Sequence, residues 1–213
     1  MSALGILGGT FDPVHCGHLR LAVEMLEQLS LAAVRLVPAS HPPHRDPPKA
    51  SSGLRLAMLK AAISEMEGLD ADDRELHRQG PSYMVDTLKS LRQSFPDQPL
   101  CLIVGTDAFR DLNRWHRWRE ILNLTHIGVA QRPGTALPQA GEVGLLLTAH
   151  QTTKPHLLHR QLSGLILACE IPALDISSSR IRTLLAQGRS VRYLIPDSVF
   201  QIIRNNGIYN HAK

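Results

Sequence analysis

The chain has 213 residues, 43% hydrophobic and 20% charged, which suits one α/β domain with a sizeable core and leaves no apolar run long enough for a bilayer. Its formal net charge is +4, but the arginines stand singly among acids and aromatics make up only 4%, so the excess points to a small polyanion rather than to nucleic acid. The three cysteines, Cys16, Cys101 and Cys169, are scattered, and no basic region precedes the first apolar run; both facts fit a cytoplasmic protein without a signal peptide.

A first strand is predicted over Ala3 to Leu7, followed by a glycine-rich connection and a helix over Leu19 to Leu29, where Leu21, Ala22, Met25, Leu26 and Leu29 recur at helical spacing. Val34 to Val37 is a second strand, which makes the start of the chain a β-α-β unit with a parallel strand pair. The proline-crowded stretch Pro38 to Pro48 is a rigid loop at the C-terminal end of that strand, where open α/β sheets bind ligands. Gly53 to Met66 is helical, with Leu56, Leu59, Ala62, Ile63 and Met66 as its apolar stripe. Arg74 to Leu76 is expected as a short strand, and Pro81-Ser82 as the start of a helix with Ser82 as N-cap.

Leu100 to Val104 is a buried strand ending in Gly105-Thr106-Asp107. The helical stretch after it breaks around Asn113 to His116 and resumes over Arg117 to Leu122, with Trp118 packed in the core. Ile127 to Ala130 and Leu165 to Cys169 are further strands; between them, Gly134 to Pro155 carries no readable period. Ser177 to Gln187 and Ser198 to Asn205 are helices closed by Gly188 and Gly207. The alternation gives an α/β fold: a doubly wound, mostly parallel sheet in a single domain over residues 1–213, with a small C-terminal helical subdomain.

The chemistry concentrates between the first strand and the first helix, in Gly8-Gly9-Thr10-Phe11-Asp12-Pro13-Val14-His15-Cys16-Gly17-His18. A strand-to-helix corner of this kind offers backbone N–H groups and a helix N-terminus to an anion, and Gly8 and Gly9 let a phosphate come close. His15 and His18, three residues apart, would face one side of the first helical turn. The corner lacks the Gly-Lys-Ser/Thr of a P-loop and the G-x-G-x-x-G of a dinucleotide site, and no second Cys/His pair completes a zinc site. Near the other end, Ile176-Ser177-Ser178-Ser179-Arg180-Ile181-Arg182 puts three hydroxyls at a helix start and an arginine one turn on, a second anion site.

These two stretches resemble the G-x-F-D-P-x-H-x-G-H and I-S-S/T-x-x-I-R motifs of the nucleotidylyltransferase superfamily. His41-Pro42-Pro43-His44-Arg45 is similar to the P-P-H-R loop of its bacterial nicotinate mononucleotide adenylyltransferases. Arg74-Glu75-Leu76 through Pro81-Ser82-Tyr83 to Thr87-Leu88 also resembles that family, as do Gly105-Thr106-Asp107, Trp115 and Arg132, so the likeness runs from Leu7 to about Tyr209.

The resemblance implies a Rossmann-like nucleotidylyltransferase fold and the reaction of ATP with nicotinate mononucleotide to give deamido-NAD and pyrophosphate. It implies that Thr10, His15 and His18 act on the ATP α-phosphate, and that Gly8, Gly9, Phe11, Gly105, Asp107, Ile176, Ser177, Ser178, Ser179 and Arg182 help bind ATP. The mononucleotide falls to His44, Arg45, Ser82, Tyr83, Met84, Thr87, Trp115, His116 and Arg132, with Trp115 stacked on the base. Mg²⁺ is expected on the ATP phosphates, without a dedicated metal site in the protein. Three positions depart from the family: Met84 where many members have Thr, Ala39-Ser40 for a frequent Asn-Asn, and His116 for an aromatic. A nicotinamide-preferring enzyme, a phosphopantetheine adenylyltransferase and a non-catalytic nucleotide sensor are the alternatives, and the sequence does not address oligomeric state.

Overall fold

The computed structural model describes residues 1–42, 46–172 and 174–210. Six strands form one parallel sheet: β1 (Leu4–Gly9), β2 (Ala33–Pro38), β3 (Leu69–Ala71), β4 (Leu100–Gly105), β5 (His126–Gln131) and β6 (Ile166–Glu170), in the order β3-β2-β1-β4-β5-β6. The order reverses between β1 and β4, and the crevice outside the carboxyl ends of those strands is where such sheets take ligands.

The strands read as continuous apolar runs because both faces are covered. Leu7, Cys101 and Ile103 face one core, which is closed by α1 (Cys16–Gln28), α2 (Ser52–Ile63), α7 (Ser178–Ala186) and α8 (Asp197–Asn205). Leu4, Ile6, Leu102 and Val104 face the other, closed by α3 (Met84–Ser94), α4 (Thr106–Arg110), α5 (Ile121–Leu124) and α6 (Gly141–His150). α8 rests on α2 through Val199 and Ile203, and α7 and α8 run out into Gly188 and Gly207 at φ 67° and 61°. Cys101 and Cys169 are buried.

Four local expectations are corrected. β1 runs on through Gly8 and Gly9, which pair with Val37 and Pro38, so the loop proper begins at Thr10. Arg74 to Leu76 is a turn and not a strand. The third strand lies earlier, at Leu69–Ala71 against Val34 to Leu36, and Asp72 ends it by accepting hydrogen bonds from the Arg74 backbone and guanidinium at 3.2 and 2.8 Å. On α2 the buried face holds Arg55, while Met66 lies past the helix and is 38% exposed. Ser82 caps no helix: α3 starts at Met84 behind Tyr83, and the Ser82 hydroxyl oxygen accepts instead from the amides of Ser40 at 2.9 Å and His41 at 3.2 Å. The unreadable stretch contains α6, whose Val143 and Leu147 are held by the core rather than by any marked periodicity.

Candidate active site

The loop after β1 turns sharply. Phe11 takes φ 49°, which folds its ring back over Gly9, where a Cβ would stand 2.9 Å from the ring. At Gly8 the Met84 thioether methyl closes in: a Cβ there would stand 2.5 Å from the Met84 Cε. Beneath the loop, the buried Arg55 guanidinium donates at 2.7 Å to the carbonyl oxygens of both Thr10 and Ala39, tying the ends of β1 and β2 together; burial pushes its pKa down.

His15 is the N-cap of α1, with an extended backbone, and it is 5% exposed. Its ring stacks on His18 at 3.6 Å between centroids and 23° between planes, and Phe11 meets His18 edge-on at 5.0 Å. Burial lowers the His15 pKa to about 4, so the imidazole is neutral at pH 7. Its Nδ1 is buried without a hydrogen-bond partner among the described residues. An orphaned polar atom on a residue that lines a cleft is costly unless a ligand supplies the partner.

The three serines of the second motif divide the work. Ser177 caps α7 by accepting from the Arg180 amide at 3.2 Å, Ser178 donates to the Pro13 carbonyl oxygen at 2.9 Å, and Ser179 accepts from the Arg182 guanidinium at 3.3 Å. Arg182 also donates to the Asp12 carbonyl oxygen at 2.7 Å. Through these bonds the N-termini of α1 and α7 converge on one cleft of about 680 Å³. Its walls carry Thr10, Phe11, His15, His18, Arg132, Ile176, Ser177, Ser178, Ser179 and Arg182, all expected from the sequence. They also carry Asp12, Asp46, Lys49 and Leu174, to which no role is assigned from the sequence. The Arg132 guanidinium makes no hydrogen bond or ion pair among the described residues.

The remaining expected residues lie around the crevice but not on these walls. Gly105 is the N-cap of α4, and Asp107, on its first turn, is exposed and paired with Arg110 at 3.4 Å. Met84 reaches back over Gly8. Tyr83 and His116 stack on each other at 4.3 Å, and Trp115, with an extended backbone, is half-buried against the second core; Trp118, in a short 3-10 turn, is half-buried there too. Thr87 is fully buried, its hydroxyl donating to the Glu75 carboxylate and accepting from Arg78, so it supports the site from below. His44 and Arg45 lie outside the described residues. The amides of Met84 and Val85, at the start of α3, have no partner among the described residues and form a donor pair beside the Tyr83–His116 stack.

Residues 6–184 match the family model described as cytidylyltransferase-like. A Methylococcus capsulatus protein named "probable nicotinate-nucleotide adenylyltransferase" is 48% identical, over 97% of this chain and 99% of its own length. An Aeromonas hydrophila protein of the same name is 47% identical, over 98% of both. Among solved structures, the Plasmodium falciparum nicotinic acid mononucleotide adenylyltransferase complexed with NaAD superposes with a TM-score of 0.73 over 98% of each chain; at 16% identity this is a likeness of fold.

Proposed function

Since the chain belongs to the cytidylyltransferase-like family, alongside its nicotinate-nucleotide adenylyltransferases, we propose that it joins ATP and nicotinate mononucleotide into deamido-NAD, releasing pyrophosphate, in a cytoplasmic step of NAD biosynthesis. One observation carries the reading: two helix N-termini, one bearing stacked His15 and His18 and the other Arg182, meet on a single cleft.

The chemistry needs no protein nucleophile. A phosphate oxygen of the mononucleotide attacks the ATP α-phosphorus in line, a new P–O bond forms, and the bond to the β-phosphate oxygen breaks, its electron pair leaving with pyrophosphate. Catalysis is then positioning and charge stabilisation. Thr10, His15 and His18 would take the α-phosphate, with neutral His15 supplying one N–H rather than a charge. Arg182 and the free amides of Ser178 and Ser179 would take the departing pyrophosphate. Arg132 would meet the mononucleotide phosphate. The base would lie near Trp115 with its carboxylate on the Met84 and Val85 amides, which reward an anion over a neutral amide.

Mg²⁺ belongs to this reading as an ion carried on the phosphates, where it would offset their charge. The donor set fits that role: no group of three or more His, Cys, Asp or Glu side chains among the described residues could hold a metal, and the Asp12 carboxylate is already taken by protein donors. No helix among the described residues is long and apolar enough to cross a membrane. Pyrophosphate release from ATP with nicotinate mononucleotide, nicotinamide mononucleotide and phosphopantetheine in turn tests the function. The first should be used best; a preference for phosphopantetheine, or no release with any of them, would contradict it.

A further inference from the structure

Asp12 is 3% exposed, and donors from distant parts of the chain meet on it. Its Oδ2 accepts from the Lys49 amide at 2.8 Å, and its Oδ1 accepts from the Ala50 amide at 3.0 Å and from the Tyr209 hydroxyl at 2.6 Å. Tyr209 lies 197 residues further along the chain, and the mechanism above does not use it. Its ring packs against the first core, so only the hydroxyl is committed to Asp12. Burial, and then the neighbouring carboxylate, push the phenol pKa up, which keeps the hydroxyl a donor.

Arg182 stands beside this knot. Its short hydrogen bond goes to the Asp12 carbonyl oxygen at 2.7 Å, while the carboxylate Oδ2 stays 3.7 Å away. Lys49 and Arg182 both line the cleft, so the carboxylate fixes the backbone of one cation and makes only a loose 3.7 Å ion pair with the other. Held by the Lys49 and Ala50 amides alone, the carboxylate could tilt to shorten its 3.7 Å contact with the guanidinium and compete with a phosphate for it.

We propose that Tyr209 is a positioning residue for ATP: its hydroxyl keeps the Asp12 carboxylate from closing its loose 3.7 Å contact with Arg182, and so keeps that guanidinium available to the triphosphate. The inference rests on the cleft being the triphosphate site. It reaches the C-terminal segment, which carries none of the recognised motifs.

Tyr209→Phe removes the hydroxyl and keeps the ring. Calorimetric titration of wild type, Tyr209→Phe, Arg182→Ala and the double variant, with a non-hydrolysable ATP analogue and separately with nicotinate mononucleotide, tests the inference. Tyr209→Phe should weaken the ATP analogue by about 5- to 20-fold and the mononucleotide by less than about twofold. In the Arg182→Ala background it should cost the analogue less than about a further twofold, because the two residues act as one unit. Equal losses for the two ligands, an undiminished loss in the Arg182→Ala background, no loss at all, or a variant too unstable to titrate would each overturn the inference. A wild type that binds no ATP analogue would instead count against the reading of the cleft, and the two failures are thereby distinct.

Discussion

The rings of His15 and His18 lie 3.6 Å apart and nearly parallel on the first turn of α1. His15 is buried, and desolvation lowers its pKa to about 4, so its ring stacks on His18 as a neutral imidazole. The positive potential available to a transition state at this corner therefore comes from the helix amides and Arg182, with His15 as a neutral donor.

His18→Ala should lower kcat by about 10²–10³ while weakening ATP binding far less, because the lost donor serves charge that grows only in the transition state. Steady-state kinetics beside ATP titration measure the split. A kcat near that of wild type would take His18 out of the mechanism.

Stability should carry the signature of His15. Its folded pKa, about 4, lies below the unfolded value of 6.5, so the unfolded chain takes up a proton first as pH falls. The contribution is complete above the unfolded pKa and is lost as pH falls from there through the folded one. Urea midpoints measured between about pH 7.5 and pH 4.5 should fall less steeply for His15→Asn than for wild type. His126, also buried with a lowered pKa, is present in both proteins and drops out of the difference. Identical slopes would mean that His15 is not held neutral.

Arg182→Ala should weaken ATP more than the mononucleotide, since Arg182 sits with the serines of α7 at the triphosphate end of the cleft. Calorimetry with each ligand decides; matched losses would assign the arginine to structure, through its bond to the Asp12 carbonyl oxygen.

Base preference should depend on backbone and not on the side chain at position 84. Met84 turns its thioether over Gly8, while its amide and that of Val85 stay available. Met84→Thr should change the ratio of kcat/KM for nicotinate over nicotinamide mononucleotide by roughly threefold or less, and Trp115→Ala should raise KM for both. A preference that appears only in Met84→Thr would show that the two amides are insufficient.

The sheet was legible because strands buried on both faces leave unbroken apolar runs, as in Leu100 to Val104 and Ile127 to Ala130. β3 was not: three residues, Leu69-Asp70-Ala71, carry no period, and their register comes only from β2. Both phosphate motifs were legible because their residues sit on single helix starts. What escaped was the long-range wiring. Nothing local marks Arg55 as the buried cation beneath Thr10, or Ser82 as an acceptor for Ser40 and His41 rather than a cap. Thr87 belongs to a motif, yet its burial against Glu75 depends on a turn 12 residues earlier. Asp12 and Tyr209 meet only once the whole fold has closed.

The central claim is direct transfer of the adenylyl group between two bound substrates, with His15 and His18 as donors rather than nucleophiles. It is tested most directly by incubating the enzyme with ATP radiolabelled at the α-phosphate, with and without nicotinate mononucleotide, and following the label. With the mononucleotide present, all transferred label should appear in deamido-NAD, with one pyrophosphate released for each dinucleotide formed; without it, none should be on the acid-precipitated protein. Label retained on the protein, or pyrophosphate released from ATP alone, would contradict the account.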